Sequence, residues 1–122
     1  MSDTIDILII DDNDLQLQYM TELFSAHGYS TETSIDSKNA VKTMLRINPK
    51  LVILDIMMPH LDGFTILKRM REEKKLAKIP VIIYSGKAYP TDEKKARSLG
   101  ANSFIMKPVK GSVIIEEVKK YI

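Results

Sequence analysis

The sequence predicts an α/β fold, a doubly wound parallel sheet of five strands with helices on both faces. Three observations predict it. Five strand-like segments, most of them apolar, alternate with segments whose apolar residues recur at helical spacing. The two most apolar runs, Ile7-Leu8-Ile9-Ile10 and Leu51-Val52-Ile53-Leu54, have no polar alternation, as strands covered on both faces require. No linker, repeat or low-complexity stretch separates the units, so about 120 residues hold five consecutive βα units of one domain.

The elements follow in order. Ile5 to Ile10 reads as a buried strand. Asn13-Asp14 caps a helix running to His27, with Leu17, Met20, Leu23 and Phe24 inward and Gly28 as its stop. Ser30 to Thr33 is a more polar strand, which suits a sheet edge. Asp36-Ser37 caps the second helix, with Ala40, Val41, Met44 and Leu45 on its inner stripe, and Asn48-Pro49 ends it. Leu51 to Leu54 is the third strand. Gly63 opens the third helix, whose inner stripe is Phe64, Leu67 and Met70 and which closes in the solvated run Arg71 to Lys75. Pro80 to Tyr84 is the fourth strand. Pro90-Thr91 precedes a short helix with Asp92 and Glu93 in its first turn, where the dipole favours anions, and Leu99-Gly100 ends it. Phe104 to Met106 is the fifth strand, and Ser112 caps a last helix carrying Ile114, Ile115, Val118 and Tyr121.

Right-handed crossovers leave few ways to order such strands. The flavodoxin-like order 2-1-3-4-5 makes the polar second strand an edge and sets the first strand beside the third.

Composition narrows the function classes. Lys plus Arg is 18 and Asp plus Glu is 16, a formal charge of +2 that gives no argument for nucleic acid or membrane attraction. Cysteine is absent, so thiolate chemistry and a disulfide framework are excluded. The apolar stretches are far shorter than the roughly 20 residues of a membrane span. The polar N-terminus is unlike a secretory signal, so a cytoplasmic protein is expected.

Three of the strands end on polar groups suited to one task. The first ends on Asp11-Asp12, the third on Asp55 and the fifth on Lys107-Pro108. As neighbouring parallel strands they bring three carboxylates and one ammonium to the carboxyl edge of the sheet, where ligands of open α/β sheets bind. Three such acids need a cation, and oxygen ligands favour magnesium. A carboxylate directly after four buried residues is either a satisfied structural anion or a working group. Beside Asp11 and Asp12, Asp55 reads as metal ligand and as nucleophile toward phosphorus. Pro108 holds Lys107 extended at the edge, where it is the counter-charge for a phosphoryl group. The Ser85 hydroxyl can donate to a phosphoryl oxygen, and Gly86 lets backbone approach closely.

From end to end the chain resembles the response-regulator receiver domain of two-component phosphorelay signalling, whose chemotaxis members share the strand order above. Asp11-Asp12 matches the family's acidic pair. Asp55-Ile56-Met57-Met58-Pro59-His60-Leu61-Asp62-Gly63 matches its phosphoacceptor segment, Ser85-Gly86 its hydroxyl position and Lys107-Pro108 its lysine motif. Four short motifs in order, each at a strand end, make the resemblance specific.

The resemblance implies a phosphoacceptor switch rather than an enzyme acting on an external substrate. Asp55 would accept phosphate from a histidine kinase or a histidine phosphotransfer protein. Asp12, Asp55 and the main-chain carbonyl of Met57 would ligate Mg2+, with Asp11 acting through water. Lys107 and Ser85 would hold the phosphoryl oxygens. Phe104 would be the switch aromatic, rotating into the space that Ser85 leaves. The output surface would be the face around the fourth helix, fifth strand and fifth helix, binding a downstream effector or a second receiver, with no direct nucleic acid or membrane contact. Residues 1–122 would form a single receiver domain, with no output domain in this chain.

The sequence also departs from the family pattern. Phe104 lacks the hydroxyl of the commoner tyrosine, and Ser85 replaces the frequent threonine. Met57 cannot orient a water well, which predicts slow self-dephosphorylation, although Lys87 stands where it can pair with the phosphate. Other readings are weaker. An aspartyl-phosphate phosphohydrolase similar to the haloacid dehalogenase class needs an acid two residues after its nucleophile, where this chain has Met57. A flavin or nucleotide binder needs a donor-rich loop after the first strand, where this chain has Asp11-Asp12-Asn13-Asp14. A degenerate receiver used only for docking has no need of Asp12, Asp55 and Lys107. His27, His60 and the paired lysines read as solvated residues, and the methionines other than Met57-Met58 as core.

Overall fold

The computed structural model describes residues 4–58, 61–86 and 89–122. Five strands, β1 (Ile7–Ile10), β2 (Thr31–Ser34), β3 (Leu51–Leu54), β4 (Val81–Ser85) and β5 (Ser103–Met106), form one sheet. Its order is β2-β1-β3-β4-β5, and every neighbouring pair is parallel. The predicted fold class and strand order hold. So does the edge position of β2, no residue of which is fully buried.

Five helices connect or follow the strands: α1 (Asp14–Ala26), α2 (Ala40–Ile47), α3 (Gly63–Glu72), α4 (Pro90–Ser98) and α5 (Gly111–Lys119). Alternation along each strand divides the core in two. Leu8, Ile10, Val52, Leu54, Val81 and Ile83 face α2, α3 and α4, which contribute Met44, Ile66, Leu67, Met70 and Ala96. Ile7, Ile9, Leu51, Ile53, Ile82, Tyr84 and Ile105 face α1 and α5, which contribute Leu17, Met20, Phe24, Ile114, Ile115 and Val118. Each fully buried aliphatic side chain stabilises the fold by roughly 1.5–3 kcal/mol. Two opposed layers of them make the sheet rigid, so its carboxyl edge is a fixed platform. No described helix is long and apolar enough to cross a membrane.

Several local expectations need correction. Capping by Asp36 is right, but the cap starts a 3-10 turn over Ser37–Asn39, and α2 begins only at Ala40. Leu45 is 41% exposed, and Ile47 takes the buried place. Helix α5 starts at Gly111, so Ser112 lies inside its first turn, and Lys110 precedes it without a side-chain cap. Pro90 is the first residue of α4 rather than a flank, and the Tyr89 amide N donates to Asp92 Oδ2 at 2.8 Å.

Arg71 is half-buried rather than fully solvated. Its guanidinium donates to the carbonyl oxygens of Gly100 at 2.8 Å and Ile79 at 2.8 Å, tying the end of α3 to the loop before β5. Gly100 has φ +107°, and a Cβ there would lie 2.8 Å from Arg71 Nε, so this corner needs glycine twice over. Lys95 stays on an exposed helix face as expected, with Nζ 4.4 Å from the centroid of the Phe64 ring. Met106 is half exposed, so it joins Met57 outside the core.

Candidate functional site

The register of the central strands builds the site. Ile10 lies opposite Leu54, so Asp11 and Asp55 emerge side by side from β1 and β3, and the Asp55 amide N donates to the Ile10 carbonyl at 3.1 Å. On the other side, the Lys107 amide N donates to the Ser85 carbonyl at 2.9 Å, which joins the ends of β4 and β5. The Lys107–Pro108 peptide bond is cis. Carboxylate oxygens of Asp11, Asp12 and Asp55 lie within 4.8 Å of one another. A cleft of about 250 Å³ opens over them, lined also by Asn13, Met57, Ser85, Gly86 and Lys107. The sequence reading therefore assembled the right strand ends.

The charges are held as a network. Lys107 Nζ donates to Asp11 Oδ2 at 2.7 Å and lies 3.5 Å from Asp55 Oδ2. The Asn13 amide donates to Asp11 Oδ1 at 3.0 Å, so both oxygens of Asp11 already have partners. Asp55 Oδ1 accepts from the Met57 amide at 3.3 Å. Asp11 and Asp55 are buried, at 3% and 7% exposure, whereas Asp12 is exposed. A buried acidic pair flanked by an exposed acid offers hard oxygen donors, the donor set that suits a small divalent cation. Lys107 supplies part of the compensating charge, a role the sequence assigned to metal alone.

Burial raises the pKa of Asp55, and the Asp11 charge adds to the rise, while Lys107 opposes it. A carboxyl whose folded pKa is raised favours folding below its unfolded value of 3.8. That contribution is lost as pH rises through the folded pKa. Asp55→Asn is thus expected to raise the melting temperature of the metal-free protein at pH 7, with the gain vanishing below pH 3.8. Paired thermal melts at the two pH values check this, and an equal gain at both would contradict it.

Ser85 Oγ is fully buried near Asp55 and has no hydrogen bond of good geometry among the described residues. Sequence reasoning expected a hydroxyl able to donate to a phosphoryl oxygen and left its burial open. The structure gives a hydroxyl sealed beneath the site, beside the Asp55 carboxylate. Gly86 is not needed for close approach, since a Cβ there would meet Lys107 side-chain atoms at an ordinary 3.7 Å. The crowded glycine is Gly63, whose role sequence reasoning missed. Phe104 is half-buried opposite Ile83, packed on the layer that faces α2, α3 and α4. Met57 is 56% exposed at the rim of the cleft. Pro59, His60 and Lys87, singled out in the sequence, lie outside the described residues. His27 closes α1, its Nδ1 2.9 Å from the Leu23 carbonyl.

A second polar cluster escaped sequence reading altogether. Ser103 Oγ donates to Glu117 Oε2 at 2.6 Å and contacts the Tyr121 hydroxyl, which donates to the Asn102 carbonyl at 3.1 Å. It fastens α5 to β5, and only the spacing of Glu117 and Tyr121 on one helix side hints at it.

Comparison with known proteins agrees with this architecture. A family model described as "Response regulator receiver domain" matches residues 7–119. The polar-differentiation response regulator DivK of Brucella ovis is 29% identical over 116 residues, which cover 95% of this chain and 94% of that protein. The signal receiver domain of a signal transduction histidine kinase from Syntrophus aciditrophicus superposes with a TM-score of 0.87 at 30% identity, over 97% of this chain and 89% of that one. The receiver domain of the sensor histidine kinase PA1611 from Pseudomonas aeruginosa, solved with a magnesium ion coordinated in its active-site cleft, has a TM-score of 0.87. It is 21% identical over 97% of each chain, a likeness of fold.

Proposed function

The chain belongs to the response-regulator receiver family, a phosphoacceptor switch of two-component signalling, and from that premise we propose the residue roles that make it one. Asp55 is the phosphoacceptor. One of its carboxylate oxygens forms a bond to phosphorus as the P–N bond of a phosphohistidine breaks, and the departing imidazole of a histidine kinase or phosphotransfer protein takes up a proton. Asp12, Asp55 and the Met57 carbonyl hold Mg2+, with Asp11 acting through water. When bound, the ion supplies Lewis-acid neutralisation of the phosphoryl charge. The occupied oxygens of Asp11 support its indirect role, and the exposure of Asp12 supports its availability.

Lys107 and Ser85 hold the phosphoryl oxygens. Lys107 is already 3.5 Å from Asp55, and it exchanges its carboxylate partners for a phosphoryl oxygen. The single observation that carries this reading is the convergence of the Lys107 ammonium and the buried Ser85 hydroxyl on Asp55 in one cleft. Both are donors beside the carboxylate, so a phosphoryl oxygen on Asp55 comes within their reach. A phosphoryl group adds roughly −1.5 to −2 charge, enough to bias an element whose two states differ by a few kcal/mol. Ser85 moves toward it, and Phe104 rotates inward behind. The half-exposed side chains of Met106 and Val113 support the face of α4, β5 and α5 as the site for an effector or second receiver. A cytoplasmic setting belongs to the same proposal.

The test is direct. Incubation with Mg2+ and acetyl phosphate should add one phosphate by mass, stable in acid and labile in base. The adduct should vanish on chelation of the metal and in Asp55→Asn. An adduct that survives Asp55→Asn would remove Asp55 from its role.

A further inference from the structure

Beneath Lys107 lies a residue that the roles above leave unused. Tyr84 is the penultimate residue of β4 and is buried. Lys107 Nζ sits 5.2 Å from the centroid of its ring. The side chain of Lys107 is only 18% exposed, so little water competes for its ammonium. Its two other partners, Asp11 and Asp55, are both carboxylates. The Tyr84 hydroxyl lies near the Gln16 side chain of α1, whose amide nitrogen is buried and has no hydrogen bond of good geometry among the described residues. Burial raises the pKa of the Tyr84 hydroxyl, so it stays neutral, while the Lys107 charge opposes that rise.

The geometry points to Tyr84 as a positioning residue for Lys107, its π face holding the ammonium over the cleft while the ammonium changes partners from carboxylate to phosphoryl oxygen. This rests on the reading of Lys107 as the phosphoryl-binding cation. The physical reason is the sequence of contacts. To meet an incoming phosphoryl group, Lys107 must loosen from Asp11, and an ammonium released without another partner would swing toward bulk water. A ring quadrupole attracts the cation without directional hydrogen bonds, so it tolerates a shift of Nζ across its face. A leucine would fill similar space and offer the ammonium nothing. Phenylalanine would keep the attraction and lose only the hydroxyl contact near Gln16.

The experiment measures the rate of phosphorylation by acetyl phosphate in the wild type, Tyr84→Leu and Tyr84→Phe, each with Lys107 and with Lys107→Met. Tyr84→Leu should slow the reaction about five- to twentyfold, and Tyr84→Phe should stay within about twofold of wild type. In the Lys107→Met background, Tyr84→Leu should have no further effect. Equal slowing by Tyr84→Leu with and without Lys107 would overturn the role of Tyr84. A Lys107→Met rate equal to wild type would instead overturn the phosphoryl-binding role of Lys107, so the two failures are distinguishable. A second readout needs no leucine variant. The ε-methylene protons of Lys107 should be shifted upfield by the ring in the proton NMR spectrum of the wild type and of Tyr84→Phe. Their appearance at ordinary lysine positions would overturn the proposal even if Tyr84→Leu does not fold.

Discussion

Gly63→Ala is expected to cost about 3 kcal/mol or more of folding stability and to disable phosphorylation with it. A Cβ at position 63 would stand 2.2 Å from the Asp55 carbonyl oxygen and 2.9 Å from Ile56 Cα. Both are main-chain atoms, so no side-chain rotation relieves the clash. The same glycine donates its amide to the Ile56 carbonyl at 2.9 Å, which clasps the start of α3 against the segment leaving β3. Asp62 caps that start, its Oδ1 accepting from the Thr65 amide at 2.9 Å. Helix α3 therefore begins in contact with the backbone of Asp55 itself. Moving it away by the ångström or so that a methyl group needs would shift the carboxylate relative to Asp11 and Lys107. Gly63 is not among the positive-φ residues, so the effect is one of space alone. Gly86→Ala is the control. Its added Cβ meets nothing closer than 3.7 Å among the described residues, and the change should stay within about 0.5 kcal/mol. Urea denaturation of the two variants beside the wild type measures both, and similar losses in the two would refute the steric argument.

Gly63 also shows where sequence reading ran short. Its neighbours were read correctly as motif and helix start, because caps and apolar spacing are local signals. The crowding that demands glycine arises only when α3 folds back on the end of β3, and no spacing rule carries that. The carboxyl-edge cluster was legible for the opposite reason. Each of Asp11, Asp55 and Lys107 directly follows an apolar run, so parallel pairing alone brings them together, whatever the helices do. Asp12 and Ser85 were legible as positions but not in their surroundings, since exposure of the one and burial of the other depend on the helices above them.

Arg71 failed in a different way. It opens a run of charges, and charge runs are mostly solvated. Its acceptors include the Gly100 and Ile79 carbonyls, one of them 29 residues away, so only the packed fold reveals them. The second helix failed on phase. A 3-10 turn over Ser37–Asn39 delays α2 to Ala40, and its buried residues are Ala40, Met44 and Ile47, with Leu45 exposed.

Lys107→Met should destabilise the metal-free protein by about 3 kcal/mol at pH 7, because it leaves two buried carboxylates facing one another without a cation. Burial by itself lowers the pKa of Lys107, but the hydrogen bond to Asp11 and the charges of Asp55 and Asp11 outweigh it, and the net shift is upward. A lysine whose folded pKa is raised contributes its full stabilisation below the ordinary value of 10.5. It loses that contribution only as pH climbs through the higher folded value. The deficit of Lys107→Met should therefore be constant through neutral pH and shrink in strongly alkaline solution, where the wild type loses its ammonium too. Two compensations distinguish this account from loss of packing. Adding Asp55→Asn to Lys107→Met removes one of the facing charges and should recover part of the loss. Magnesium should raise the melting temperature of Lys107→Met by more than that of the wild type, since a bound cation stabilises the folded state according to its affinity and here replaces a missing charge. If neither Asp55→Asn nor magnesium restores stability, the alkyl chain of Lys107, not its ammonium, holds the edge of the sheet together.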